Sequence, residues 1–307
     1  MKTSAKSTIM LFMTAIIWGF AFVAQRVAAD NSLGSFTFNG TRFLLGAISL
    51  IPVFLIFEKD GKDRKKLIKT IWTACVGGTI LFLASFLQQK GIEISGSASK
   101  GGFITALYMV IVPIIGMFFG KKTGLPVWLG VFLAVFGLYL LSFVEFDASS
   151  RQLISKNLSE MNLGDLVLLI GSFLWAVHIL WLDKMSKEVS PIKFSSFQYL
   201  VCGILGLIFA GIFEQESLNV ARISACAVPI LYGGIMSAGV AYTLQIIGQK
   251  NADPTHASII LSTEAVFSVI GEALILHTYL NPVGYVGCVI IFIGTLLPQF
   301  TFKKKRS

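Results

Sequence analysis

Three ionisable side chains stand out at membrane depth within long apolar stretches of this sequence, where burying a charge is costly. Glu264 falls in the ninth stretch, Arg42 in the second and His178 in the sixth. A carboxylate at this depth could carry a proton or bind an amine, arginine could bind a carboxylate through its planar fork, and histidine could carry a proton. Each could instead serve the fold: Glu264 or His178 through a hydrogen bond to a neighbouring helix, and Arg42 by pairing with Glu264 or with backbone carbonyls.

Amides and large aromatic side chains form a second group of candidates. Gln88 and Gln245 fall near the ends of the third and eighth apolar stretches, where they could line a cavity or cap helix ends. Several aromatic residues lie deeper than the belt at membrane–water interfaces, so they could stack on a substrate or pack between helices. The sequence therefore predicts a substrate-binding set with these members: Trp18, Phe22, Arg42, Gln88, Tyr108, Trp175, His178, Tyr242, Gln245 and Glu264.

The elements that carry these residues are predicted from composition and length. The chain has 307 residues, of which 55% are apolar and only 13% are charged, against about a quarter charged in a soluble domain. A helix crosses a membrane with roughly 20 apolar residues. Stretches of that kind cover residues 9–27, 36–57, 68–88, 98–119, 126–144, 165–182, 194–213, 226–247, 256–276 and 282–300. They predict an all-α polytopic membrane protein with ten transmembrane helices.

The formal net charge of +9 is an orientation signal in this interpretation. Most lysines and arginines, including the cluster between Lys59 and Lys69, fall on segments that face the cytoplasm if the N-terminus does. We therefore expect a multi-pass protein of the cell membrane with both termini cytoplasmic, with the lipid bilayer and not nucleic acid as its partner. Glu272 is expected near the outer rim of its helix, where it could reach lipid headgroups.

The two halves of the chain repeat each other at an offset of 156 or 157 residues. Trp18 in the first stretch matches Trp175 in the sixth. Further matching pairs are Glu58 and Glu214, Gly77 and Gly233, Gln88 and Gln245, Gly130 and Gly287, and Gly137 and Gly294. An odd number of spans in each copy makes the second copy enter the membrane from the opposite side. The pattern predicts two inverted five-helix repeats, whose site lies at their interface near the midplane.

The predicted division of the chain follows from this repeat. Residues 1–145 form the first five-helix repeat, residues 146–164 form a linker, and residues 165–307 form the second repeat with a basic cytoplasmic tail. The match is weakest between the fourth and ninth spans, where the alignment is expected to need a gap of about two helical turns.

The motifs in this order resemble the EamA branch of the drug/metabolite transporter superfamily over essentially the whole chain. The residues that carry the resemblance are Trp18-Gly19, Arg42-Phe43, Ser97-Ala98-Ser99, Pro113, the run from Thr263 to Phe267, and the two glycine pairs Gly130/Gly137 and Gly287/Gly294. The sequence departs from the family pattern at Ala265, where a proline is usual, and at Lys121 and Thr278, where a glutamate is usual.

The resemblance implies a ten-helix secondary transporter that moves small metabolites, often amino acids outward, by alternating access without ATP. The expected partners are a small polar or amphipathic substrate and, as a candidate coupling ion, the proton. The predicted function is therefore export of an amino acid or a related compound across the cytoplasmic membrane.

Two other classes of protein are weighed against a transporter. A membrane-embedded enzyme that uses a metal would need a ligand cluster such as H-E-x-x-H, and the three scattered histidines and four separate cysteines do not supply one. We predict no cofactor, no metal and no catalytic residue. A non-catalytic membrane scaffold would explain the helix packing, but it gives no reason for Arg42, His178 and Glu264 at membrane depth.

Overall fold

The computed structural model describes residues 5–58, 64–120, 124–147, 149, 152–155, 163–185 and 188–300. Helices account for nearly all of them. The helices are α1 (Ala5–Asp30), α2 (Ser35–Phe57), α3 (Arg64–Ser95), α4 (Ala98–Thr105), α5 (Tyr108–Phe118), α6 (Leu125–Phe143), α7 (Leu163–Met185), α8 (Pro191–Phe213), α9 (Val220–Ala225), α10 (Ala227–Leu231), α11 (Thr243–Gln249), α12 (Pro254–Leu261), α13 (Glu264–Ile275) and α14 (Pro282–Phe300), with a π-helical segment (Tyr232–Tyr242) between α10 and α11.

The apolar stretches of the sequence form the membrane-crossing helices. Eight helical segments within the described ranges are long and apolar enough to span a bilayer, and α6 and α14 add two shorter apolar helices. Span 4 consists of α4 and α5, span 8 of α10, the π segment and α11, and span 9 of α12 and α13. Helices satisfy their own backbone hydrogen bonds, which the hydrocarbon cannot do. The predicted all-α polytopic membrane fold is confirmed.

Two elements differ from the prediction. Helix α3 extends to Ser95, beyond the predicted 68–88, because its backbone ladder continues into the polar region, where Lys90 Nζ binds Glu93 Oε1 at 2.6 Å. An antiparallel hairpin of β1 (Val144–Asp147) and β2 (Gln152–Ser155) lies where only a linker was predicted. The basic tail and residues 156–162 lie outside the described residues.

The helices pack with the symmetry of two inverted five-helix repeats. Helix α2 packs on its equivalent α8, and α6 packs on its equivalent α14. In the second pair, a Cβ added to Gly137 would lie 2.6 Å from the carbonyl oxygen of Gly287, and one added to Gly294 would lie 2.8 Å from that of Gly130. The glycine pairs found in the sequence therefore let the two helices approach each other closely at two equivalent points.

Two glutamates at equivalent positions each cap the N-terminus of a helix in the other repeat. Glu58, after α2, accepts hydrogen bonds from the backbone nitrogens of Ile192 and Lys193 at 2.8 and 2.9 Å, at the start of α8. Glu214, after α8, accepts them from Phe36 and Thr37 at 3.0 and 2.9 Å, at the start of α2. Each carboxylate satisfies two free N–H groups of a helix N-terminus and sits at the positive end of its dipole.

Spans 4 and 9 are broken at equivalent positions, and the expected gap of two turns between them is wrong. Ala106 and Leu107 interrupt span 4, and Ser262 and Thr263 interrupt span 9, with ψ angles between −12° and −15° at all four residues. Backbone hydrogen bonds tighten to three-residue spacing at both breaks, as in a 3₁₀ turn. Residues 156 apart match through both breaks, so the low sequence similarity reflects divergent side chains and not a change in length.

The π segment of span 8 accounts for the change of offset from 156 to 157. Gly77 matches Gly233 at an offset of 156, whereas Gln88 matches Gln245 at 157, so span 8 has gained one residue between these points. Most of that interval is the π segment, whereas the equivalent part of α3 is regular α-helix. A π helix holds an extra residue per turn, and such segments are frequent at functional sites.

Candidate functional site

A narrow cavity lies between the two repeats and gathers most of the predicted residues. Nine of the ten line it: Trp18, Phe22, Arg42, Gln88, Tyr108, Trp175, Tyr242, Gln245 and Glu264. The unfilled space between the lining side chains is about 400 Å³, open solvent included, but a water-sized sphere can centre in only about 20 Å³ of it. That is room for about one water molecule, so a metabolite would require the walls to move apart.

Five lining residues were not among the predicted ones: Ala21, Gln25, Thr105, Ile179 and Ser237. Ala21 and Gln25 follow Trp18 at the spacing of one helix face, three and seven residues on, so periodicity contained a signal for them. Ser237 gave no such signal, because the π segment changes which face of span 8 points inward.

Glu264 is held by Tyr108 from the other repeat. The tyrosine hydroxyl donates to Glu264 Oε1 at 2.8 Å, and both side chains are buried. Both residues are the first of a helical segment, Tyr108 of α5 and Glu264 of α13. The site therefore places an ionisable carboxyl at a helix break in the cavity wall, as in transporters with discontinuous helices.

Arg42 lines the same cavity but does not pair with Glu264, which was one of the alternatives open for it. Its Nε donates to Asn39 Oδ1 at 2.9 Å, one turn earlier on α2. Its guanidinium carbon lies 5.2 Å from the ring centre of Phe38 and 4.5 Å from that of Phe43. Its own helix supplies these partners, so Arg42 is fixed in place independently of span 9. Its two terminal nitrogens have no hydrogen-bond partner among the described residues.

His178 is the predicted residue that does not line the cavity. It is fully buried, its Nε2 lies 3.2 Å from Gln198 Oε1, and its ring meets those of Trp175 and Tyr242 edge-on at 5.8 and 6.3 Å. Gln198 is the repeat equivalent of Arg42, and His178 is that of Ala21. In the second repeat, the hydrogen-bonded pair of His178 and Gln198 fills the space. In the first repeat, the equivalent space beside Arg42 is open and forms part of the cavity.

The two matched glutamines have different surroundings. Gln88 donates through Nε2 to Gln25 Oε1 at 3.0 Å. Gln245 is fully buried, and neither its Nε2 nor its Oε1 has a hydrogen-bond partner in the described part of the chain. Neither glutamine caps a helix end. Both amides line the cavity, but only that of Gln245 remains unpaired.

Aromatic rings close one side of the cavity. The matched pair Trp18 and Trp175 have ring centres 6.2 Å apart, and Tyr242 lies 4.5 Å from Trp18 and 6.0 Å from Trp175. The indole of Trp18 donates to the carbonyl of Ser237 at 3.3 Å. These three rings form an apolar wall, and the hydrogen bond from Trp18 fixes this wall to span 8.

Glu272 does not reach lipid headgroups, and that expectation is wrong. Its side chain is buried and accepts hydrogen bonds from the backbone nitrogens of Ala98 and Ser99 at 3.2 and 2.9 Å, and from the Ser99 hydroxyl. Nearby, Lys100 Nζ lies 3.0 Å from Asp165 Oδ2. These contacts tie the start of α4 to α13 and α7, and they close that end of the interface between the repeats.

The opposite end of the bundle is more open. An apolar crevice of about 740 Å³ lies between α5 and α7, with Ile115, Val177 and Leu180 among its lining residues. At the equivalent interface between α13 and α1, Gly271 packs so closely that an added Cβ would lie 3.0 Å from Val23 and 3.1 Å from Phe20. The two repeats therefore share one architecture but differ in how tightly their equivalent interfaces are closed.

The described residues contain no group of three or more histidine, cysteine, aspartate or glutamate side chains that could hold a metal ion. The four cysteines are free thiols. The cavity is therefore built of an arginine, a carboxyl, amides and aromatic rings, a set suited to binding a small polar molecule.

The fold and the cavity define a polytopic membrane transporter built from inverted repeats. The model of the EamA-like transporter family matches the chain twice, at residues 5–143 and 162–298. The chain belongs to the EamA-like transporter family, which fits the drug/metabolite transporter superfamily. The family and the relative from Archaeoglobus fulgidus described below both carry the name of a transporter.

Several known proteins are similar along most of their length. An uncharacterized transporter of Archaeoglobus fulgidus is 27% identical over 292 residues, covering 94% of this chain and 83% of the relative. A WAT1-related protein of Arabidopsis thaliana is 19% identical over 323 residues, covering 95% and 88%. One solved crystal structure shares the fold with a TM-score of 0.75 at 15% identity, covering 96% of each chain.

Proposed function

We propose that this protein is a secondary transporter that exports a small polar metabolite, an amino acid or a related amphipathic compound, across the cytoplasmic membrane by alternating access. The observation that carries the proposal is that Arg42 and Glu264 line one narrow cavity but do not pair with each other. Two ionisable groups kept apart at membrane depth are costly to the fold, and a substrate that contacts both would compensate that cost.

The unequal closure of the two equivalent interfaces supports alternating access. The α13–α1 interface is packed, while the α5–α7 interface holds the crevice. In an inverted repeat these interfaces face opposite sides of the membrane, so exchanging their states would move access from one side to the other. We take residues 1–145 and 165–307 as the two halves that exchange states, with residues 146–164 as the linker between them.

The distribution of basic residues supports the orientation. With both termini in the cytoplasm, the crevice between α5 and α7 opens toward the cytoplasm, and Lys184 lies at its rim. The outer side is then the one closed by Glu272 and by the Lys100–Asp165 ion pair. A crevice that opens on the cytoplasmic side, while the outer side is closed, suits the loading step of an exporter.

Glu264 is the group we assign to proton coupling. It is the ionisable carboxyl that lines the cavity, and a proton on it would compete with a cationic group of the substrate. Outward movement of substrate would then accompany inward movement of a proton.

Flux in proteoliposomes tests the proposal. Purified protein is reconstituted, the vesicles are loaded with unlabelled amino acids, and uptake of the same labelled amino acids is measured as counterflow. We expect uptake for at least one amino acid that saturates with concentration and is missing in empty vesicles. An imposed proton gradient should change its rate. The lack of counterflow for all twenty common amino acids and their amines would contradict the proposal.

A further inference from the structure

We propose that the cavity binds a zwitterionic substrate in one orientation, with its carboxylate on Arg42 and Gln245 and its ammonium group on Glu264. The inference rests on the proposed function, because it concerns the substrate of the same cavity. It adds which end of the substrate meets which repeat.

Arg42 is prepared to receive a carboxylate. Asn39 holds its Nε, and Asn39 is itself fixed by donating to the carbonyl of Ser85 at 3.1 Å. Gly233 of the π segment leaves room for the arginine stem, since an added Cβ there would lie 3.0 Å from Arg42 Cδ. The described residues thus fix the guanidinium but leave its two terminal nitrogens unbound. Those two nitrogens can form the parallel pair of hydrogen bonds that a carboxylate accepts.

Gln245 is the second carboxylate ligand. Its amide is fully buried in the cavity wall, and neither its nitrogen nor its oxygen has a hydrogen-bond partner in the described ranges. A buried amide that is left unpaired destabilises the fold, and the equivalent Gln88 avoids that cost by bonding to Gln25. An amide that the fold leaves unpaired is available to a ligand, and its Nε2 can donate to a carboxylate oxygen.

Glu264 is the ammonium ligand. Tyr108 occupies one lone pair on Oε1, and the other carboxylate oxygen has no hydrogen-bond partner among the described residues. Acceptor positions therefore remain for an N–H donor. Trp18, Trp175 and Tyr242 offer ring faces beside these charged groups, where the apolar side chain of a substrate can lie.

The second repeat cannot receive the substrate in the reverse orientation. Its equivalent of Arg42 is the neutral Gln198, which is bonded to His178 outside the cavity lining. Glu264 belongs to the second repeat, and its equivalent in the first repeat is the neutral Tyr108. The cavity lining therefore has one positive group, Arg42, and one negative group, Glu264. A zwitterion can place each of its charges beside the opposite charge in one orientation only.

Binding of three related compounds to the purified protein tests this orientation. The probes are L-phenylalanine, its amide, which lacks the carboxylate charge, and N-acetyl-L-phenylalanine, which lacks the ammonium charge. L-leucine and its two derivatives form a second set, in case the rings exclude an aromatic side chain. Affinity is measured in detergent by the shift of melting temperature with ligand concentration, which does not depend on flux.

We expect the zwitterion to bind more tightly than either derivative. Gln245→Leu should weaken binding of the amino acid and its N-acetyl form about tenfold, the size of one hydrogen bond to a charged group, and leave the amide unchanged. Arg42→Gln should abolish the preference for the amino acid over its amide. Glu264→Gln should weaken binding of the amino acid and the amide but not of the N-acetyl form.

The proposal is overturned if no amino acid of either set binds, or if the preference over the amide persists in both Arg42→Gln and Gln245→Leu. If Arg42→Gln does not fold, Gln245→Leu decides, because no group among the described residues bonds to the Gln245 amide. Oriented binding without counterflow would contradict the transport proposal and leave the orientation standing. Counterflow together with variants that keep the preference for the amino acid over its amide would support the transport proposal and contradict the proposed orientation.

Discussion

Tyr108 and Glu264 occupy equivalent positions in the two repeats, 156 residues apart, and are joined by a hydrogen bond of 2.8 Å. Each begins the second segment of a broken span. Equivalent residues meet only near the axis that relates the repeats, so the two helix breaks face each other across the centre of the molecule. At that point the first repeat supplies a neutral donor and the second an ionisable acceptor.

Glu264→Gln should abolish or uncouple transport and leave the folded protein intact. The glutamine side chain has the same size, and its Oε1 can still accept from Tyr108, but it can neither ionise nor release a proton. Proteoliposome flux and melting temperature in detergent measure the two effects. Loss of folded protein in this variant would show that Glu264 serves the fold.

Tyr108→Phe is the matched variant for the other partner. It removes the described hydrogen-bond partner of a buried carboxyl, so we expect a loss of about 1–3 kcal/mol in stability. Thermal or denaturant unfolding in detergent gives the value. A stability equal to that of the unaltered protein would mean that the carboxyl obtains its hydrogen bond elsewhere.

Glu58→Ala and Glu214→Ala should destabilise the protein to a similar extent, about 1–2 kcal/mol each. Each removes two hydrogen bonds from backbone nitrogens at the N-terminus of a helix in the other repeat, and Glu214→Ala also removes one from the Thr37 hydroxyl. The double variant should lose the sum, because the two caps lie at separate helix ends. Glu216→Ala, an exposed neighbour, is the control and should have little effect. A large difference between the two single variants would contradict the equivalence of the caps.

Leucine at the two matched glutamines should have opposite effects on stability. Gln245→Leu removes an unpaired buried amide and should raise the melting temperature. Gln88→Leu leaves Gln25 Oε1 without its donor, so it should lower the melting temperature and reduce the free energy of unfolding by about 1–3 kcal/mol. Both are measured by thermal unfolding in the same detergent. Equal destabilisation of the two variants would show that Gln245 has a structural partner.

Trp18→Ala should weaken substrate binding about tenfold, because it removes one ring of the aromatic wall. The half-saturation concentration for counterflow measures the effect. Trp72→Ala is the matched control, since Trp72 is 68% exposed on the outer surface of the bundle, and should leave it unchanged. An unaltered half-saturation concentration in Trp18→Ala would exclude Trp18 from the binding site.

Gly19→Ala should destabilise the packed interface between α1 and α13 by about 1–3 kcal/mol. An added Cβ would meet Phe267 Cβ and lie 2.8 Å from the carbonyl oxygen of Glu264, so the backbones must separate. Gly211→Ala in α8 is the control, because a Cβ there meets nothing within 4 Å, and it should add stability through helix propensity. Unfolding in detergent measures both. A neutral Gly19→Ala would mean that this interface yields easily.

The sequence by itself was enough to predict the helical membrane fold, the inverted repeat and the polar residues placed at depth. Each depends on properties that are local or additive along the chain. The length of an apolar run decides whether it crosses a membrane, and the pairing of Trp18 with Trp175 or Glu58 with Glu214 is visible as a fixed offset. The offset did not show that these glutamates cap each other's repeat, because capping depends on which helix ends lie together.

Only the tertiary structure decided which partner each deep residue takes. Arg42 bonds to Asn39 and not to Glu264, Glu272 bonds to the start of α4, and His178 lies outside the cavity lining. These outcomes depend on how each helix is rotated about its own axis and how far it stands from its neighbours, which residue spacing along one helix does not fix. The single extra residue in span 8 shows why: it forms the π segment and changes which face points inward. The sequence determined which functional groups are present at membrane depth, and helix packing determined which of these groups lie together in one cavity.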